Sequence, residues 1–162
     1  MNNIDIEKEH LIKLAGKMNK LLSSYAVYAQ NVRTFHWNIE GQNFFQLHEV
    51  FEELYIDARE RIDDIAERIL TLGFKPMSKL TDYLEYSEIK EVNYNMEDRE
   101  MMQSLVEMHR ELINHIRETI KEASDKMDEG TVDLLSDMIS TIEKRTWMLN
   151  AWLSSQKVAS LN

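Results

Sequence analysis

The sequence predicts an all-α protein: a four-helix bundle with a short extra helix in the long connection between helices two and three. Three observations carry that expectation. Glycine is scarce, at four of 162 residues, and proline occurs once, at Pro76, so few residues resist helix formation. Apolar residues recur in alternating steps of three and four along four long stretches, the period of an amphipathic helix. Turn-forming residues fall between those stretches and rarely within them.

Helix one carries the seam Leu11, Leu14, Met18, Leu21, Tyr25, Tyr28, Val32 and Phe35. Glu40-Gly41-Gln42-Asn43 reads as the turn into helix two, whose seam is Phe44, Leu47, Phe51, Leu54, Ala58, Ile62, Ile65, Ile69 and Leu72. Gly73 to Pro76 stops it. A connection of about 20 residues follows, Lys75 to Asn95, and loops that long usually contain structure or function. Leu80, Tyr83, Leu84 and Ile89 suggest the short helix inside it. A crossover that runs the length of the bundle is the ferritin-like arrangement, whereas an up-down-up-down bundle needs only short loops. Asn95, with Glu97 and Asp98, opens helix three, whose seam runs Met101, Leu105, Met108, Leu112, Ile116, Ile120, Ala123. Glu129-Gly130-Thr131 separates it from helix four, with Thr131 as N-cap and Asp133 in the first turn. Helix four carries Val132, Leu135, Ile139, Ile142, Leu149 and Leu153, with Thr146 as a polar interruption. The ten methionines fall mostly on these seams and read as core filler rather than haem ligands. No repeat, low-complexity tract or boundary divides the chain, so residues 1–162 are expected to form a single domain.

Composition narrows the chemistry. There is no cysteine, which excludes disulfides, iron–sulfur clusters and thiolate metal sites. Twenty-nine acids against 19 bases give a net charge of −10, which repels nucleic acid and suits a protein that concentrates cations. No apolar run approaches the roughly 20 residues that span a bilayer. Met1 to Asp5 lack the basic and apolar regions of a signal peptide. A cytoplasmic location without membrane association is the expectation.

His36, His48, Glu52, Asp63 and Glu67 are the residues that could hold a metal, since imidazoles and carboxylates suit iron, zinc or manganese. At about 100° per residue, with His48 at zero, Glu52 lies near 40°, Asp63 near 60° and Glu67 near 100°, all on one face of helix two. Yet at about 1.5 Å per residue His48 and Asp63 stand roughly 22 Å apart, while a metal bond is about 2 Å. Either the two halves serve different sites, or a second copy supplies the missing half. The second option has a simple construction, because two copies of helix two can pair antiparallel about a two-fold axis near Asp57 and Ala58. His48 and Glu52 of one chain then face Asp63 and Glu67 of the other, twice, and His36 can complete each site. Against this stands a plainer reading: exposed helix faces routinely carry acids, and a His between Phe35 and Trp37 can simply pack a bundle end.

The other histidines carry less. Glu7 and His10 have the Glu-x-x-His spacing of ferritin-type di-iron bundles, but without a second copy and near a terminus, so His10 is expected to be solvated. His109 and His115 have no shared acid at ligand spacing, so structural or surface roles are expected. The lack of a paired Glu-x-x-His set argues against a di-iron centre inside one bundle.

Two segments closely resemble the Dps family (DNA-binding proteins from starved cells) of ferritin-like mini-ferritins. They are Phe35-His36-Trp37-Asn38-Ile39-Glu40-Gly41-Gln42-Asn43-Phe44-Phe45-Gln46-Leu47-His48-Glu49 and Asp63-Asp64-Ile65-Ala66-Glu67-Arg68-Ile69. The likeness extends over most of the chain, including Trp147-Met148-Leu149. It implies a hollow homo-dodecamer built from two-fold dimers, with ferroxidase sites across the dimer interfaces and at most two iron ions (Fe2+/Fe3+) per site. By that resemblance His36 and His48 are imidazole ligands, Glu52 takes the third same-chain position, and Asp63 and Glu67 serve the other subunit. Many members have Asp where this chain has Glu52, which leaves open whether Glu52 coordinates directly. Trp37, and Trp147 similarly, correspond to aromatics thought to absorb oxidising equivalents. The implied substrates are Fe(II) and hydrogen peroxide, with dioxygen slower, and ferric mineral stored in the cavity against oxidative stress.

Asp125, Asp128, Glu129, Asp133 and Asp137 resemble the family's three-fold pore, with Asp133 the strongest candidate. DNA binding in the family commonly rides on a Lys-rich extension. Here Asp5, Glu7 and Glu9 stand against Lys8 at one end and Lys157 stands alone at the other, so little or no DNA binding is expected. Two other classes of function remain as alternatives: a DNA-compacting nucleoid protein with incidental iron binding, and a helical interaction module.

Overall fold

Five helices form where the periodic stretches lie: α1 (Lys8–Asn38), α2 (Phe44–Thr71), α3 (Leu80–Tyr86), α4 (Asp98–Ser124) and α5 (Glu129–Ala159). The structure is a computed structural model and describes residues 7–159, with side chains to residue 155. Among the described residues there is no strand, and no helix is long and apolar enough to cross a membrane. Met1 to Asp5 and the Lys157 side chain, on which the leader and DNA-tail expectations rest, lie outside what is described.

The helix ends follow backbone hydrogen-bond arithmetic. Gly73, at φ +88°, closes α2 in a Schellman motif: Phe74 N–H donates to Ile69 O at 3.1 Å and Gly73 N–H to Leu70 O at 2.9 Å. Two N-terminal expectations are corrected. Glu97, not Asn95, caps α4, because its side chain and that of Glu100 satisfy each other's backbone N–H groups in a capping box. Thr131 is not the cap of α5. Asp128 takes that place: it accepts from Thr131 N–H at 3.2 Å and from the Thr131 hydroxyl at 2.6 Å, so Thr131 sits inside the first turn.

Side-chain contacts give the topology. His10 meets Glu122, Tyr28 meets His109, and Asn31 meets Met108, a descending order that makes α1 and α4 antiparallel. Asp57 meets Arg145, Arg61 meets Asp137, and Arg68 meets Asp128, so α2 and α5 are antiparallel too. With short turns joining α1 to α2 and α4 to α5, α2 and α4 must then run the same way. The connection between them therefore spans the bundle end to end, as the ferritin-like expectation requires. It lies along α1, which holds it by polar side chains. Asn19 Oδ1 accepts from Met77 N–H at 2.7 Å, Ser24 Oγ from Glu88 N–H at 3.1 Å, and Asn31 Nδ2 donates to Lys90 O at 2.8 Å.

The core is the sum of the four seams. Phe35, Phe51, Met18, Leu21, Leu47, Ile65, Met101 and Leu105 are all fully buried. Phe35 and Phe51 touch at 5.8 Å between ring centroids and tie α1 to α2. His10 departs from expectation. It is buried, with Nδ1 3.4 Å from the Glu122 carboxylate, which also pairs with Lys13 at 2.9 Å. Packing of α1 on α4 covers the face of the helix that carries His10 and Leu11.

His109 is wholly buried between Tyr28 and Thr146. Burial, reinforced by the Arg145 guanidinium, pushes its imidazole down to about 3. The unfolded chain takes up that proton near 6.5, so the contribution to stability is fully present above that pH. It is lost progressively as pH falls toward 3, at up to about 1.4 kcal/mol per pH unit. His109→Gln, which cannot titrate, should flatten that limb of a denaturation-versus-pH profile. Parallel profiles for the two proteins would contradict this account.

Candidate metal centre

The last turn of α1 and the first turns of α2 meet across the Glu40–Asn43 turn, where Gly41 adopts φ +93°. That hairpin presses the His36 and His48 rings together, stacked at 3.8 Å between centroids with 19° between planes. Each ring bonds the other residue's backbone: His36 Nδ1 lies 2.8 Å from His48 O, and His48 Nδ1 lies 2.9 Å from His36 O. A carbonyl only accepts, so both Nδ1 atoms must carry the proton. In the neutral rings this tautomer leaves both Nε2 atoms with the lone pair, the form in which imidazole binds a metal.

Aromatic rings fix the pair from both sides. Phe44 stacks on His48 at 5.0 Å, and Tyr55 stands edge-on to His36 at 5.3 Å. The Tyr55 hydroxyl donates to Glu52 Oε1 at 3.3 Å. Trp37, next in sequence to His36, is exposed beneath the Arg33 guanidinium at 4.7 Å. Trp147 is also exposed, on α5.

Asp63 and Glu67 lie further along α2, exposed, and do not reach the histidines. Among the described residues no three His, Asp or Glu side chains gather closely enough to hold a metal ion within the chain, His36, His48 and Glu52 included, and Asp63 stands roughly 22 Å of helix from His48. Nor does any ion pair among those residues engage Glu52, Asp63 or Glu67. The neighbouring Arg61 and Arg68 turn instead toward Asp137 and Asp128 on the α5 side. An open groove of about 670 Å³ adjoins the site between α1, α2 and α3, lined in part by Trp37, Tyr55, Ile62, Leu80 and Leu84.

The bundle centre is different in kind. Arg61 and Arg145 converge there on Asp57, at 3.6 and 2.6 Å, beside Tyr28 and His109. Two guanidinium groups make a poor host for a cation. Of the acids at the α4–α5 junction, Asp125, Glu129 and Asp133 are exposed. Asp128 is withdrawn from the group expected there, because it is buried against Arg68 and caps α5, and Asp137 is taken by Arg61.

The fold is a ferritin-like helical bundle that carries a stacked imidazole pair, His36 and His48, beside its α1–α2 turn. Residues 15–157 match the ferritin-like domain. The chain is 38% identical to a DNA protection during starvation protein of Brevibacillus brevis, over 86% of this chain and 94% of that one. It is 36% identical to DNA protection during starvation protein 2 of Bacillus anthracis, over 85% and 94%. The crystal structure of a Dps protein from Vibrio cholerae, described as one of a broad superfamily of ferritin-like diiron-carboxylate proteins, superposes with a TM-score of 0.92 at 44% identity. That match covers 94% of this chain and 96% of that one. The chain belongs to the Dps family of ferritin-like mini-ferritins.

Proposed function

We propose that this protein is a ferroxidase and iron store. It oxidises Fe(II) with hydrogen peroxide, and more slowly with dioxygen, and keeps the ferric product as mineral inside a homo-dodecamer in the cytoplasm. The observation that carries this reading is the reciprocal hydrogen bonding of His36 and His48, which holds two imidazoles as ligands before any metal arrives. Preorganised ligands of this kind lose little freedom on binding. Hard carboxylates suit Fe(III), and a mixed nitrogen and oxygen set lets Fe(II) bind and its product leave.

In this reading His36, His48 and Glu52 form one half of each centre, and Asp63 and Glu67 of a second copy form the other. The groove beside Trp37 and Tyr55 would seat that copy. Two ferrous ions bound together, the most each site would hold, deliver two electrons to peroxide and so yield water rather than hydroxyl radical. Asp125, Glu129 and Asp133 would draw cations toward the shell. The description of the Vibrio cholerae relative as a diiron-carboxylate protein supports the choice of metal.

The purified protein should have about twelve times the chain mass and should consume peroxide only when Fe(II) is added, holding the ferric product in solution. A monomer with full activity would refute the shared site. The relatives named for DNA protection raise a second reading, DNA compaction, but binding phosphates takes several cationic contacts. A mobility shift at moderate salt and neutral pH should show no retained DNA, and clear retention would favour that second reading.

A further inference from the structure

One hydrogen-bonded chain in the bundle core is unused by the chemistry above. Tyr28 Oη lies 2.8 Å from His109 Nε2, His109 Nδ1 lies 2.8 Å from Thr146 Oγ1, and the Thr146 hydroxyl donates to Ile142 O at 2.7 Å. The directions are forced. The Ile142 carbonyl only accepts, so the Thr146 proton points at it and Thr146 Oγ1 accepts from His109 Nδ1–H. That leaves Nε2 bare to accept from the Tyr28 phenol. Both rings are buried, at 3% and 0% exposure. Burial raises the phenol above its ordinary value and lowers the imidazole, so both are neutral at rest.

A phenol that loses an electron becomes a very strong acid. If a base already holds its hydrogen bond, the proton moves a fraction of an ångström and no charged radical is left in the core. Tyr25, edge-on to Tyr28 at 6.1 Å, has no hydrogen-bonded base among the described residues. Tyr28 also stands about two turns before His36 on α1, roughly 12 Å along the axis, a span electrons cross through packed protein.

We propose that Tyr28 is an internal one-electron donor that quenches oxidising equivalents formed during peroxide reduction, with His109 holding its proton. The inference rests on the iron-oxidation reading. When a single Fe(II) meets peroxide, one electron gives Fe(III), hydroxide and a hydroxyl radical. Tyr28 passes one electron to that radical, which becomes hydroxide, and its O–H proton passes to His109 Nε2. The products are a neutral phenoxyl radical and an imidazolium still bonded to Thr146. The next Fe(II) returns an electron to the phenoxyl, His109 returns the proton, and a second Fe(III) forms. Peroxide thus receives two electrons from iron even when the second ion arrives late.

The test is rapid-freeze electron paramagnetic resonance on the assembled protein, given about one Fe(II) per site and excess peroxide, with ferric absorbance followed in the same sample. A tyrosyl radical is expected, abolished in Tyr28→Phe and retained in Tyr25→Phe, with hydroxyl-radical spin adducts several-fold higher in Tyr28→Phe. Because that variant leaves His109 Nε2 without its donor, a second arm places 3,5-difluorotyrosine at position 28, which keeps the hydroxyl. The hyperfine pattern should then change. Ferric formation with no radical, or with a radical unaltered by fluorination at 28, overturns this inference alone. No ferric formation overturns the iron-oxidation reading and this inference with it.

Discussion

His48→Ala and Asp63→Asn should each lower Fe(II) oxidation at least tenfold, yet the two inactive proteins refolded together should recover about a quarter of the wild-type rate. Loss of groups that merely support a ligand already costs about 10–100-fold in metal sites, so loss of a ligand should cost no less. The recovery follows from two-fold symmetry. Half of randomly assorted dimers pair one variant with the other. In each of those, one site joins both damaged halves, and the other joins the intact His36–His48–Glu52 half to an intact Asp63–Glu67 half. Recovery indistinguishable from zero, with mixed dimers verified by mass, would sink the cross-subunit assignment.

Arg68→Ala should cost about 3–5 kcal/mol of stability, the usual effect of stranding one member of a buried ion pair. The Asp128 side chain is 3% exposed and Arg68 18%. The Arg68 guanidinium also donates to Thr131 Oγ1 at 2.9 Å, and a Cβ added to Gly130 would meet it at 3.0 Å. One side chain of α2 therefore fastens the start of α5, and without it Asp128 keeps a charge in a place water hardly reaches. Adding Asp128→Asn to Arg68→Ala should restore much of the loss, since Asn caps a helix about as well as Asp but carries no charge. Chemical denaturation of the three proteins measures both effects. A loss below about 0.5 kcal/mol for Arg68→Ala would place this pair with exposed ion pairs of little worth.

Much of the fold was legible in residue spacing. The seam from Leu11 to Phe35, the turn at Gly41 and the stop at Gly73 all depend on neighbours within a turn or two of helix. The spacing of His48, Glu52, Asp63 and Glu67 was legible for the same reason: they lie on one helix, whose rise and rotation per residue are constants. His10 was misread because its burial depends on α4, where Glu122 meets it from more than a hundred positions along the chain. Asp128 was misread as a pore acid because its partner, Arg68, lies on another helix. Ser24 and Asn31 stand beside the α1 seam, next to Tyr25 and Val32, and those polar neighbours were the available sign that a segment of backbone docks there.

Sequence alone decided that the chain is helical, where its helices break, and that its candidate ligands fall into two groups too far apart for one ion. Those are short-range properties, set by periodicity, turn chemistry and helix dimensions. Tertiary structure decided the proton positions on His36 and His48, because each depends on the other residue's carbonyl across the α1–α2 hairpin. It also decided which acids stay free for cations and which are consumed by arginines. Those outcomes depend on desolvation and on partners dozens of positions away, which no stretch of sequence contains.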